Sequence, residues 1–181
     1  MQAGGPPIWV AARDPNSHEF AISQGCNVQV TPLWQGDGEI TKLMDTFKEA
    51  CAKFPEVQRP EIMLLNHTYI AADAADAQQA AGEINSFFCN FGAWFKNERP
   101  VSQGRIEPLT EEDIAAHPFY TADAMLRDNV IATPNDAVAR IKTYAELGYD
   151  EYAFWIDSGM SFARKKASLQ RFINDVMPAF A

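Results

Sequence analysis

Residues 6–33 place the strongest constraint on how this chain can fold. Residues 8–12 are a short run of β-branched and aromatic side chains, which predicts a buried strand. Asp14 and Pro15 then predict the start of a helix, because a short acceptor caps the first turn and proline already has a helical φ. A second strand is predicted over residues 27–31. A strand, a helix and a strand so close together form a βαβ crossover, so the sequence predicts a parallel sheet.

The predicted crossover also indicates where a binding site would lie. Parallel sheets bind ligands beyond the carboxyl ends of their strands. The first two such ends in this chain are residues 13–17 and residues 32–36. We therefore expect function at these two loops.

The rest of the chain alternates between predicted helices and strands. Helices are expected over residues 39–54, 73–88, 134–147 and 161–177, and strands over residues 61–71 and 151–156. Residues 96–129 are irregular, with several prolines and a short helix near residues 111–116. Loops of this length in a compact domain often form lids or pocket walls.

The length and composition of the chain suit one domain with a sizeable core, since 47% of its 181 residues are hydrophobic. Four strand–helix units amount to half of an eight-fold barrel, which needs about 250 residues when complete. The alternative is an open doubly wound sheet, which four strands can also build. We predict an α/β fold of the TIM-barrel type. It would be a single half-barrel domain over residues 1–181, with about four parallel strand–helix units and a long insertion before the last strand.

The charge and cysteine content exclude several classes of protein. A net charge of −9 argues against nucleic acid binding, which needs a concentrated basic face. The three cysteines, Cys26, Cys51 and Cys89, are far apart and form neither a disulfide framework nor a metal pair, which suits a reducing cytoplasm. The start of the chain lacks the features of a signal peptide, and no apolar run approaches the ~20 residues of a membrane span. We expect a cytoplasmic protein with no membrane partner.

Four segments stand out by their order and spacing. They are PIWVAARDPNS at residues 7–17, YIA at residues 69–71 before an acid-capped helix, VIATP at residues 130–134 before another helix, and SLQRF at residues 168–172. Across nearly the whole chain, these segments resemble the C-terminal half of a bacterial luciferase-like, flavin-dependent monooxygenase. One small departure is Ala132, where family members often have glycine.

The resemblance implies a TIM-barrel enzyme that uses reduced FMN, or a deazaflavin in one branch. Such an oxidoreductase adds one oxygen atom from O₂ to a small, apolar organic substrate, and a flavin reductase is an expected partner. The first four strand–helix units of the family have no counterpart here. Those units carry much of the isoalloxazine contact and a histidine credited with catalysis, so no residue of this chain inherits a catalytic role.

The resemblance to half of a barrel also predicts how the chain behaves alone. Half a barrel exposes sheet edges and an apolar inner face, so we expect the chain to self-associate or to pair with a missing N-terminal half. Alone it is expected to be inactive. The alternatives are a non-catalytic flavin-binding or interaction protein derived from the same barrel, and a truncated reading frame of an ordinary enzyme.

Five residues are predicted to contact the cofactor. By resemblance, the turn containing Arg13, Asp14 and Ser17 helps to hold the flavin phosphate. A helix N-terminus and a hydroxyl suit an anion, and a guanidinium adds a charge-assisted hydrogen bond. The Asp14 carboxylate opposes this reading, and the alternative is a helix cap beside a surface charge. Ser158 and Gly159 follow the last strand and offer a hydroxyl and backbone N–H groups for a cofactor rim.

Aromatic residues are the candidates for a substrate pocket. Trp9, Trp34 and Trp155 lie on or just past predicted strand ends, where they would line a pocket or simply pack in the core. Trp94 belongs to the aromatic run of residues 87–95, which would line a substrate channel, form a dimer face or fill the core.

The histidines complete the set of candidates. His67 lies inside the third predicted strand, where it would either meet the substrate or be a hydrogen-bonded core residue. His18 and His117 are expected to be structural. The histidines and cysteines show no metal-ligand spacing, so no metal site is predicted. The chain also lacks the nucleophile elbow, the P-loop and the dinucleotide-binding glycine motif.

Overall fold

The computed structural model describes residues 5–96 and 99–181, and the chain divides into two compact units. Unit 1 comprises Met1–Asn66 and Ala139–Phe154, and unit 2 comprises His67–Val138 and Trp155–Ala181. Within the described ranges, no helix has both the length and the apolar character needed to cross a bilayer.

Unit 1 contains the βαβ crossover that the sequence predicts. Its elements are strand β1 (Trp9–Ala11), helix α1 (Pro15–Ser23), strand β2 (Asn27–Val30), helix α2 (Gly36–Lys53) and the first part of strand β3 (Ile62–Ile70), followed later in the chain by most of helix α6 (Pro134–Leu147) and strand β7 (Glu151–Trp155). Strand β1 pairs with β2, and β2 pairs with β3, both in parallel. The predicted parallel sheet is therefore confirmed.

The local signals in unit 1 act as the sequence suggests. Helix α1 begins at Pro15, and the Asp14 side chain accepts the free N–H groups of its first turn. Helix α2 begins at Gly36, three residues earlier than predicted, because Asp37 and Glu39 in its first turn suit a helix N-terminus and glycine allows the positive φ at Gly36. Its apolar face is fully buried, at Ile40, Leu43, Met44 and Phe47.

Unit 2 contains the long irregular segment. Its elements are the second part of β3, helix α3 (Ala74–Lys96), strands β4 (Val101–Ser102) and β5 (Arg105–Ile106), helices α4 (Glu111–Ala115) and α5 (Ala122–Asp128), strand β6 (Val130–Ala132) and helix α7 (Phe162–Arg171). Strands β4 and β5 form a small antiparallel hairpin, and β6 pairs with β3 in parallel. A π-helical turn (Phe172–Val176) and a 3₁₀ turn (Met177–Phe180) follow α7.

Three elements of unit 2 differ from the prediction. Helix α3 continues to Lys96 rather than ending near Phe88, because buried positions keep recurring at helical spacing as far as Ala93. Helix α5 and strand β6 were not predicted. The signal for α5 is Thr121, whose hydroxyl caps the helix by accepting the N–H of Ala124.

Strand β3 is the central strand of the sheet. It pairs with β2, β6 and β7, so the strands predicted over residues 61–71 and 151–156 are neighbours. All four predicted strands are present, and the α/β class with parallel pairing is confirmed.

Candidate functional site

The turn between β1 and α1 in unit 1 carries the predicted phosphate contacts. The Asp14 carboxylate accepts the N–H of Asn16 at 3.0 Å and the N–H of Ser17 at 3.1 Å. It also accepts the hydroxyl of Ser17. The Ser17 hydroxyl, followed by the backbone N–H groups, lowers the pKa of Asp14. The carboxylate is therefore charged and occupies the helix N-terminus.

Arg13, beside this turn, is also paired with a carboxylate. Its Nη2 donates to Glu39 Oε1 at 2.8 Å, and one third of the Arg13 side chain is exposed. Arg13 and Ser17, the two donor residues that the resemblance assigns to the flavin phosphate, thus already bond to carboxylates of this chain. A phosphate at this turn would have to displace Asp14 and Glu39, and the assignment stays a prediction.

Two of the predicted pocket tryptophans also belong to unit 1. Trp9 lies on β1 opposite Asn27, and Trp34 lies in the turn between β2 and α2. Both are half-buried. Trp34 lies just beyond the carboxyl end of its strand, where ligands of parallel sheets bind, whereas Trp9 begins its strand. Their roles as pocket residues stay predictions.

His67 in unit 2 is a fully buried polar residue at the centre of an aromatic group. It lies on β3 and is 1% exposed. Its Nδ1 is 2.8 Å from the hydroxyl oxygen of Ser158, which is also 1% exposed and follows the last strand. The structure therefore brings together one predicted pocket residue and one predicted cofactor residue from distant parts of the chain.

Three aromatic rings surround the His67 imidazole. The ring of Trp155 stacks on it, with centroids 4.0 Å apart and planes at 20°. Phe88 meets it edge-on at 4.7 Å, and Phe87 lies tilted at 5.4 Å. We call these five residues, His67, Ser158, Trp155, Phe87 and Phe88, the His67 cluster.

Burial determines the charge of His67. It disfavours the imidazolium and lowers the pKa of His67 to about 3, although the nearby charge of Asp157 acts in the opposite direction. Asp157 itself accepts a hydrogen bond from Lys165, which lowers the pKa of the Asp157 carboxyl. At neutral pH, His67 is therefore an uncharged imidazole.

The hydrogen bond to Ser158 involves one nitrogen of the His67 ring. The Ser158 hydroxyl donates to Nδ1 when Nε2 carries the ring proton, and it accepts from Nδ1 in the other tautomer. This buried Nε2 has no hydrogen-bond partner among residues 5–96 and 99–181.

Gly159 helps to place Ser158 at this position. Its φ is +83°, a conformation that residues with a side chain rarely adopt. A Cβ at Gly159 would be 3.5 Å from Cβ of Phe87, which is ordinary contact. Glycine is thus required here by the backbone turn rather than by lack of space.

Trp94, the remaining predicted pocket residue, lies on α3 beyond Phe88 and is 61% exposed. Its ring contacts Phe91 at 5.6 Å and Phe95 at 6.5 Å. The aromatic run therefore has two parts, since Phe87 and Phe88 pack on His67 whereas Trp94 faces outward. The sequence analysis did not separate these parts. The signal was present, because Ile84 and Phe88 are four residues apart on one helix face and both are buried.

No group of three or more His, Cys, Asp or Glu residues suited to a metal ion occurs in the described ranges. The site of unit 2 is instead built from aromatic rings and one neutral imidazole at the end of a strand. Parallel strand–helix units define an α/β protein, a class whose ligands typically bind at the carboxyl ends of the strands.

Comparison with known proteins identifies the family. Residues 1–151 match the luciferase-like monooxygenase family, and the chain belongs to it. The resemblance seen in the sequence is therefore confirmed.

One curated relative is similar along the whole chain. The oxygenase component of a flavin-dependent trigonelline monooxygenase from Acinetobacter baylyi is 63% identical over 181 residues, which are 100% of this chain and 50% of that protein. This chain thus spans about half the length of the curated relative that it matches.

Solved structures share the fold. A monooxygenase from Streptomyces bottropensis matches with a TM-score of 0.66 and 20% identity, over 99% of this chain and 50% of that one. The oxygenating constituent of 3,6-diketocamphane monooxygenase from Pseudomonas putida, in complex with FMN, matches with a TM-score of 0.59 and 12% identity, over 95% of this chain and 48% of that one. At these identities the likeness concerns the fold alone, and it agrees with the predicted partial barrel.

Proposed function

We propose that this chain forms part of the oxygenase component of a flavin-dependent monooxygenase. The complete protein adds one oxygen atom from O₂ to a small nitrogen-containing aromatic ring. The observation that carries this proposal is the 63% identity, along the whole chain, to the oxygenase component of the trigonelline monooxygenase. Trigonelline is an N-methylpyridinium carboxylate, so the proposed substrate class is a flat, charged heteroaromatic ring rather than the apolar compound first expected.

The proposed cofactor is reduced FMN, with a deazaflavin as the alternative. A structural neighbour contains FMN, and the relative is named as flavin-dependent. The bound flavin supplies the oxygen chemistry. The aromatic, water-poor surface of the His67 cluster suits a flat ring, whereas the turn at Asp14 accepts a phosphate only if its own carboxylates move away.

We further propose that a separate reductase supplies the reduced flavin, as the term oxygenase component implies for the relative. Activity also requires the residues that correspond to the other half of the relative, in the same polypeptide or in a second one. This chain contributes an ordered aromatic site, which orients a ring and excludes water.

A chimera tests the proposal directly. This chain replaces the matching half of the Acinetobacter protein, which the 63% identity allows with little repacking. The chimera is supplied with reductase, NADH, FMN, trigonelline and ¹⁸O₂. We expect a product carrying one ¹⁸O atom, at a rate within about tenfold of the intact Acinetobacter protein.

The control is the intact relative under the same conditions. A folded chimera that gives no labelled product, while the relative does, would contradict the proposal. If that chimera still retains flavin, the result favours a non-catalytic flavin-binding protein.

A further inference from the structure

Trp155 is half-buried, as Phe87 is, and differs from the phenylalanines of the His67 cluster because its ring stacks on the imidazole at the end of a strand. One face of its indole is covered by His67 at 4.0 Å. No second ring stacks on it among the described residues, although it ends the last strand of the sheet. One face of the Trp155 indole is thus packed against His67, and part of the side chain is accessible to solvent. The residue also lies at the end of a strand, where ligands of parallel sheets bind.

We propose that Trp155 is a stacking surface for an electron-poor, flat heteroaromatic ring, and that His67 and Ser158 position its indole. The identity of the ring rests on the proposed function. The face of an indole is electron-rich, so it attracts cationic and electron-poor rings. A pyridinium substrate and the oxidised isoalloxazine of a flavin share this chemistry.

Two contacts hold the imidazole that lies against Trp155. His67 is tied through Nδ1 to the Ser158 hydroxyl, and Phe88 meets the imidazole edge-on at 4.7 Å. Because the imidazole is neutral, it does not repel a cationic ring stacked on the far side of the indole. A single hydroxyl therefore holds the histidine that in turn fixes the plane of the tryptophan.

Binding to the purified chain tests the stacking surface. The probes are trigonelline and oxidised FMN, and the dissociation constants are measured by ligand-observed NMR and calorimetry. We expect Trp155→Leu to weaken binding of at least one probe by about tenfold, and Trp155→Phe to weaken it less, since a smaller ring remains. Phe162→Leu is the matched control, because Phe162 is 80% exposed in the same unit and should leave binding unchanged.

The two probes separate the two sources of the ring. Weakening with trigonelline alone assigns the surface to the substrate, and weakening with FMN alone assigns it to the cofactor; both support the inference. The inference is overturned if folded Trp155→Leu binds both probes with unchanged affinity. It is also overturned if the folded wild-type chain binds neither probe.

The positioning role of Ser158 requires a separate measurement. Ser158→Ala should weaken the same probe by about threefold and change the ¹⁵N signals of His67, because Nδ1 loses its hydrogen-bond partner and the tautomer populations change. Ser158→Thr keeps the hydroxyl and should restore both. Unchanged ¹⁵N signals in Ser158→Ala would overturn the positioning role.

Failure of this inference differs from failure of the proposed function. If the chimera gives labelled product and its Trp155→Leu variant binds both probes normally, only the stacking surface is overturned. If the chimera binds a probe through Trp155 but gives no labelled product, only the monooxygenase function is overturned.

Discussion

The hydroxyl of Ser158 lies 2.8 Å from Nδ1 of His67, which precedes it by 91 residues in the sequence. This bond connects the loop after the last strand to the middle of the central strand. Both residues are almost completely buried, so no water competes for the bond. The consequence is a neutral imidazole of fixed orientation beneath the Trp155 ring.

The first prediction concerns the pH dependence of stability. The pKa of His67 is about 3 in the folded chain, below the ordinary 6.5, because burial disfavours its charged form. Below pH 6.5 the unfolded chain gains a proton that the folded chain does not, so the free energy of unfolding falls as the pH falls towards about 3. Between about pH 7 and about pH 5, the wild type should lose roughly 2 kcal/mol more than His67→Phe.

Urea denaturation of both proteins at each pH measures this difference. An NMR titration of His67 gives an independent check, since its ring signals should not change between about pH 7 and about pH 5. Parallel pH profiles for the wild type and His67→Phe would contradict the prediction.

The second prediction concerns the glycines of helix α3. A Cβ at Gly92 would overlap the Tyr120 hydroxyl, so Gly92→Ala should destabilise unit 2 by about 2 kcal/mol. In the double variant Gly92→Ala with Tyr120→Phe, the overlapping oxygen is absent and much of this loss should be recovered. Gly82→Ala in the same helix is the control. Its Cβ meets nothing within 4 Å, and alanine should stabilise the helix by up to about 1 kcal/mol.

Thermal and urea denaturation of the four proteins measures these effects. If Gly92→Ala is as stable as Gly82→Ala, Tyr120 does not pack against this part of the helix as the structure shows.

The third prediction concerns an ionic cluster around Asp76 in unit 2. Its carboxylate accepts the Tyr69 hydroxyl at 3.0 Å and pairs with Arg164 at 2.8 Å. Both charged side chains are largely covered, so removing Asp76 leaves Arg164 with Glu83, at 3.1 Å, as its remaining ion-pair partner. Asp76→Asn should lower the free energy of unfolding by about 2 kcal/mol. Asp123→Asn, at an exposed position, should change it by less than about 0.5 kcal/mol.

A double-mutant cycle with Arg164→Met shows whether the ion pair is responsible. A coupling free energy near zero would mean that Asp76 acts through its hydrogen bonds to Tyr69 and to the backbone and through Arg171, which lies 3.7 Å away, rather than through Arg164.

The fourth prediction tests the phosphate assignment at the β1–α1 turn. If Arg13 exchanges Glu39 for the flavin phosphate, Arg13→Gln should weaken FMN binding by about tenfold and leave riboflavin binding unchanged, because riboflavin has no phosphate. Calorimetry with both ligands measures the difference. Equal affinities of Arg13→Gln and the wild type for FMN would leave Asp14 as a helix cap and Arg13 as its ion-paired neighbour.

Local signals in the sequence were sufficient for much of the fold. Asp14 and Pro15 start α1 because a cap needs only its neighbours, and the buried face of α2 follows from helical spacing. Short runs of apolar, β-branched and aromatic residues also identified the four predicted strands, all of which are present. These local signals did not predict strand β6 in the irregular segment. It has only three residues, and it forms because it pairs with β3.

The sequence by itself determined the family, the α/β class and the separate candidacies of His67 and Ser158. Only the tertiary structure decided that these two residues form a hydrogen bond, that Trp155 stacks on the imidazole, and that Trp94 faces outward. It also showed that Asp14 and Glu39 already occupy the predicted phosphate donors. The physical reason is that capping and periodicity act within a few residues, whereas burial and contacts across 91 residues depend on how the strands and helices pack.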